Sequence, residues 1–72
     1  MSLTARIKNN TIEIFDVQSG GIQRTHTLPP GKYSNLIVVG DNVTITIHSQ
    51  YGGDKLRTIN LKTGAIVSEL NM

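Results

Sequence analysis

Cysteine and tryptophan are both missing from this chain of 72 residues. No disulfide can staple the fold, and no thiolate can hold a metal ion. His26 and His48 are the only histidines, so imidazoles could supply at most part of a metal site. Alanine occurs only at Ala5 and Ala65, which removes the best helix former almost entirely. Aromatic residues stop at Phe15, Tyr33 and Tyr51. No stretch approaches the roughly 20 consecutive apolar residues of a membrane-spanning helix. The N-terminus has no apolar run behind basic residues and hence no legible secretory leader, so the expected location is the cytoplasm, or a virion for a viral chain.

These absences bear on stability. A chain this short buries a modest fraction of its surface, and small cores are usually reinforced by disulfides, a structural metal or oligomerisation. With the first excluded and the second poorly supplied, self-association is the reinforcement left open. The expected partner is therefore further copies of the same chain.

What is present is β-branched. Nine Ile, five Val and eight Thr favour strands, with six Leu beside them. Turn residues punctuate the chain at short intervals: Asn9-Asn10, Ser19-Gly20-Gly21, Pro29-Pro30-Gly31, Gly40-Asp41-Asn42, Gly52-Gly53-Asp54 and Lys62-Thr63-Gly64. Between them lie seven runs of strand length: Leu3–Lys8, Thr11–Val17, Ile22–Leu28, Asn35–Val39, Val43–Ser49, Lys55–Leu61 and Ala65–Leu70. Evenly spaced short runs predict an all-β antiparallel meander of about seven strands, in blade-like sheets, a small sandwich or a small barrel. One domain over residues 1–72 is expected, with sub-units at 3–28 and 35–70.

Alternation assigns faces. Val43, Ile45 and Ile47 point one way and Thr44, Thr46 and His48 the other; Leu3, Ala5 and Ile7 alternate with Thr4, Arg6 and Lys8. Two runs do not alternate. Leu36-Ile37-Val38-Val39 is apolar on both faces, which predicts a central strand or an interface. Thr11–Val17 sets Ile12 and Ile14 against Phe15 and Val17. Both runs call for a second layer, from a folded-over half or from a partner.

The chain also matches itself. An offset of 44 lays Thr11–Gly20 on Lys55–Gly64 and Ile22 on Ile66. A competing offset of 32 lays Ala5-Arg6-Ile7 on Ile37-Val38-Val39, Asn10 on Asn42 and Gly20-Gly21 on Gly52-Gly53. Ile14-Phe15-Asp16-Val17-Gln18-Ser19-Gly20 and Thr58-Ile59-Asn60-Leu61-Lys62-Thr63-Gly64-Ala65-Ile66-Val67 resemble the outer hairpin of a β-propeller blade, as in the WD-repeat and quinoprotein-like families. A blade also spans roughly 40–45 residues. The Trp-Asp pair and Gly-His of a WD repeat are missing, so no functional residue carries over. The resemblance implies one and three-quarter blades, which several chains would combine to complete.

Candidate chemistry is sparse. His26 and His48 are the only side chains whose ordinary titration falls near neutral pH, and each sits in an alternating strand as a cross-strand polar residue. Glu13 and Asp16 fall on opposite faces of one strand, and Asp16 reads as a turn residue. No nucleophile elbow, metal spacing or paired-acid motif is legible, so neither an enzyme nor a cofactor is expected. Pro29-Pro30-Gly31-Lys32 and Gly52-Gly53-Asp54-Lys55 lack phosphate-loop spacing and read as turns. The net charge is +2, from basic residues spread along the chain. The nucleic-acid candidates are Arg6, Lys8, Arg24, Lys55 and Arg57, with Tyr33 and Tyr51 for stacking. The leading expectation is a non-enzymatic structural or assembly protein acting as a homo-oligomer, of a composition that suits phage or viral accessory proteins. The alternatives are a nucleic-acid-binding β module and a barrel holding a small ligand or sugar, with Tyr33, Tyr51 and the glycine loops at its mouth.

Overall fold

A computed structural model describes residues 2–72. The β-branched runs form β1 (Leu3–Lys8), β2 (Thr11–Asp16), β3 (Ile22–Thr27), β4 (Gly31–Val39), β5 (Asn42–Ser49), β6 (Asp54–Asn60) and β7 (Ile66–Asn71). Sheet 1 has the order β1-β2-β3 and sheet 2 the order β4-β5-β6-β7, every neighbour antiparallel. The fold is all-β, a meander split into two sheets. No ladder joins the sheets, so the barrel expected as one alternative is not formed.

Burial follows the alternation. Val43, Ile45 and Ile47 of β5 and Ile12 and Ile14 of β2 are at most 1% exposed. With Ala5, Leu28, Ile59 and Leu61 they make one core between the two inner faces. Leu3, Ile7, Tyr33 and Leu36 pack against its margin. Facing sheets burying alternate residues are the standard solution for a small sandwich.

Leu36–Val39 departs from the expected central position. It belongs to β4, the edge strand of sheet 2, which begins at Gly31 rather than Asn35. Register puts Val38 opposite Val43 on the inner face, and Ile37 and Val39 opposite Thr44 and Asn42 on the outer one. Ile37 is 54% and Val39 69% exposed. A meander places the first strand after a sheet-to-sheet link at an edge, whatever its side chains. Gly31 opens the strand because any Cβ there would lie 2.3 Å from the His48 carbonyl oxygen.

The offset of 44 recurs in three dimensions. Ile14 pairs with Arg24, and 44 residues on Thr58 pairs with Ser68. A bulge falls between Ile14 and Phe15 in one hairpin and between Thr58 and Ile59 in the other. The turns match bond for bond. Gly20 N–H donates to the Asp16 carbonyl and Gly64 N–H to that of Asn60, each at 2.8 Å. Asp16 Oδ1 accepts from Gln18 N–H and Asn60 Oδ1 from Lys62 N–H, again at 2.8 Å. Asp16 is the turn residue the sequence implied. Gly20 and Gly64 sit at φ 75° and 77°, in the left-handed region that glycine adopts without strain.

The second self-match shifts by one residue. Asn9-Asn10 and Gly40-Asp41 are the equivalent turns, joining Lys8↔Thr11 and Val39↔Asn42. Asn9 and Gly40 have φ 57° and 59°. Leu28 N–H donates to Asn10 and Leu61 N–H to Asp41, both at 2.7 Å. Asn10 therefore corresponds to Asp41 rather than Asn42, and Ala5–Ile7 to Leu36–Val38.

Ile45→Asp should abolish folding, because an unpaired carboxylate at a fully buried position costs more than a domain this small can lose. Loss of the β circular-dichroism signal and of amide dispersion checks this. A folded, soluble variant would mean that the faces are reversed.

Candidate functional site

Polar side chains gather in two places that the sequence does not show to be connected. The first is the seam between the sheets. Arg57 of β6 lies on the inner face, its side chain 11% exposed, and its Nε donates to Glu69 Oε2 of β7 at 2.7 Å. Its Nη1 lies 3.1 Å from His26 Nε2 on β3, linking the sheets. A guanidinium has donors only, so His26 Nε2 accepts and the neutral ring carries its proton on Nδ1. Lys55 Nζ reaches Glu69 Oε1 at 3.6 Å. Arg24 Nε donates across the seam to the Lys62 carbonyl at 2.8 Å.

Burial disfavours the imidazolium of His26, and Arg57 adds repulsion, so its pKa is pushed below the ordinary 6.5. Glu69 is held below the usual carboxylate value, first by the Arg57 hydrogen bond and then by the charges of Arg57 and Lys55, against desolvation.

The second is a polar line across the outer face of sheet 2. Ser34 Oγ lies 2.8 Å from His48 Nε2, and His48 Nδ1 lies 3.1 Å from Asp54 Oδ1. Hydroxyl, imidazole and carboxylate in that order can pass a proton from serine to histidine. The line is open to water, with the His48 and Asp54 side chains 42% and 44% exposed. A surface hollow of about 350 Å³ lies elsewhere, lined by Leu3, Gln23, Arg24, Leu61 and Lys62. Acyl transfer draws most of its rate from oriented donors in a water-excluded site, whereas His48 and Asp54 beside Ser34 stand open to solvent. Its evident effect is to pin three strands together. The sequence reading missed it because Ser34 meets Thr46 only through the register before the β4 bulge. The available signal was His48 facing Asp54 across the Gly52-Gly53 turn.

The nucleic-acid candidates do not form one stripe. Arg6 and Lys8 alternate onto the outer face of sheet 1, where Arg6 Nε binds Glu13 Oε1 at 2.9 Å and its guanidinium stacks 4.8 Å from the Phe15 ring centroid. Arg24, Lys55 and Arg57 lie on the inner faces with the partners given above. Tyr51 is 91% exposed at a loop tip, whereas the half-buried Tyr33 donates its hydroxyl proton to the Pro29 carbonyl. Among the described residues, no group of three or more His, Asp or Glu side chains is placed to hold a metal ion. Among the same residues, no helix is long and apolar enough to cross a membrane.

The remaining surface feature is apolar. Among the described residues, ten large apolar side chains are exposed, against nine apolar residues buried in the core. On the outer face of sheet 2, Ile37 and Val39 of one edge strand, β4, and Leu70 of the other, β7, are each more than half exposed; Leu70 lies opposite the half-buried Leu56, and Thr44, Thr46 and Thr58 lie between the two edges. Sheet 1 presents Phe15 and Ile22 on its own outer face. Compared with known proteins, the chain matches no family model, no curated relative and no solved structure.

The depressed pKa of His26 sets a pH dependence. The unfolded chain binds a proton at His26 near pH 6.5 while the folded chain resists it, so stability falls as pH drops from 6.5 towards the lower folded value. Glu69 contributes in a separate, more acidic window: stability present above its unfolded value of 4.5 is lost as pH falls through its depressed folded value. His26→Gln should flatten the upper window in urea melts taken between pH 7 and 5. An unchanged slope would assign that titration to another group.

Proposed function

We propose that this chain is a structural subunit that works by assembling with copies of itself through its outer sheet faces. The carrying observation is the set of Ile37, Val39 and Leu70 on one uncovered face. Total area is not the point. The accessible surface of 4514 Å² is close to the roughly 4,400 Å² expected of a compact monomer of 7.9 kDa. What supports the reading is that aliphatic side chains stay exposed on both edge strands of that face, where a neighbouring chain would cover them together with the unpaired edges.

Shape supports the same reading. β4 and β7 are unpaired edges of sheet 2 within one chain, and β1 and β3 of sheet 1. Exposed edges and apolar faces are hazards unless covered. A subunit whose work is assembly covers both by the contacts that define it. The polar groups fit this role, because each cluster ties strands together: Ser34, His48 and Asp54 across sheet 2, and Arg57 between the sheets.

Ile37→Lys combined with Val39→Lys should leave the strand content unchanged, since both side chains are exposed. It should lower the solution mass from a multiple of 7.9 kDa to the monomer by light scattering. A wild type that is monomeric at every concentration tested would sink the proposal.

A further inference from the structure

We infer that sheet 2 continues from copy to copy, the β7 edge of one chain pairing antiparallel with the β4 edge of the next. This rests on the self-assembly reading and names the contact that makes it.

Strand direction permits such a join. Three antiparallel ladders separate β4 from β7, so these two strands themselves run antiparallel. A copy displaced along the sheet without inversion therefore offers its β4 to β7 in the antiparallel sense. Its outer face then lies on the same side as that of the first copy.

Hydrogen-bond phase fixes which rungs can form. The two-residue turn Gly40-Asp41 closes on Val39 and Asn42, so that pair exchanges its backbone bonds. Antiparallel pairs alternate between bonded and non-bonded, which leaves the N–H and C=O of Val38 pointing out of the edge. At the opposite edge, Met72 N–H donates to the Asp54 carbonyl at 2.8 Å. The same alternation turns the backbone groups of Glu69 and Asn71 outward. Each edge thus presents donors and acceptors in the order that an added strand satisfies.

Side chains select the register. Setting Val38 of the next copy opposite Asn71 puts its Val39 opposite Leu70 and its Ile37 opposite Met72. All four apolar residues lie on the outer face, since Met72 stands opposite Asp54, which faces His48. Each is more than half exposed in the single chain. Both rungs are of the non-bonded kind, in which side chains approach most closely. Glu69 meets Gly40, so no like charges are opposed. The other bonded register, Val38 against Glu69, sets Val39 against Ser68 and a carboxylate beside Val38.

Like edges match less well. A twofold pair of β7 strands about Leu70 sets Met72 against Ser68, and one of β4 strands about Val38 leaves Leu70 and Met72 uncovered. Joining unlike edges covers all four with one contact, a heterologous one that propagates to a ring or a filament. The edges of sheet 1 are guarded, β1 by Arg6 and Lys8 and β3 by Arg24, and basic side chains on an edge discourage pairing. Neither β7 nor the stretch Ile37–Val39 carries Lys, Arg or Pro.

Disulfide trapping reads the register, since the chain has no cysteine of its own. Cα atoms of a non-bonded antiparallel pair lie roughly 4.5 Å apart, within disulfide reach. Val39→Cys with Leu70→Cys in one chain, treated with a mild oxidant, should give a ladder at multiples of 7.9 kDa on a non-reducing gel. Closure within one chain is excluded, because the two positions lie on opposite edges of sheet 2. Ile37→Cys with Met72→Cys should give the same ladder, and stands in if the first variant loses its strand signal. Ile37→Cys with Leu70→Cys, two residues out of register, should stay at 7.9 kDa, as should each single variant.

A dimer trapped by a single variant, or a ladder from the mismatched pair, would overturn this inference while leaving self-assembly standing. So would the lack of a ladder from both matched pairs at concentrations where the unmodified chain assembles. An unmodified chain that never assembles would remove both.

Discussion

Two stacked sheets have four faces, and a chain of 72 residues can bury only the inner two by itself. That constraint orders the rest of the structure. The inner faces take Ile12, Ile14, Val43, Ile45, Ile47 and Ile59, all at most 1% exposed. Full burial of such a side chain contributes about 1.5–3 kcal/mol, so these residues dominate the favourable side of folding. The outer faces receive what is left, and what is left includes Ile37, Val39 and Leu70. An ordinary small sandwich would place polar residues there, as the Thr44, Thr46 and Thr58 rows partly do.

The polar contacts refine this arrangement more than they support it. Exposed ion pairs contribute little, and Lys62 with Asp41 at 3.5 Å is of that kind. Arg57 differs because its guanidinium is withdrawn from water and shared between Glu69 and His26. It fixes how β3 lies over β6, and with Arg24 it sets the relative placement of the two sheets. The seam is thereby tied at one margin by directional bonds and filled at its centre by aliphatic side chains.

Fold class and strand placement were legible because both depend on local chemistry. Turn residues at Asn9-Asn10, Gly20-Gly21 and Gly52-Gly53 mark strand ends, and alternation in Val43–Ser49 marks a face. The position of β4 was not legible, since a run apolar on both sides reads alike whether central or at an uncovered edge. The Ser34–His48–Asp54 line was hidden for a different reason. It depends on pairing between three strands and on the irregularity at Asn35, φ 54°, and neither is encoded at a fixed spacing. The self-match was visible as two competing offsets. Only the hydrogen bonds of the turns decide that 44 relates the hairpins β2-β3 and β6-β7, while the other offset relates the first turns by 31.

The account rests on the outer sheet faces being covered by further copies of the chain, and the solution mass over a concentration series tests that most directly. Light scattering should give a multiple of the 7.9 kDa chain mass. A 7.9 kDa species at every concentration would contradict it.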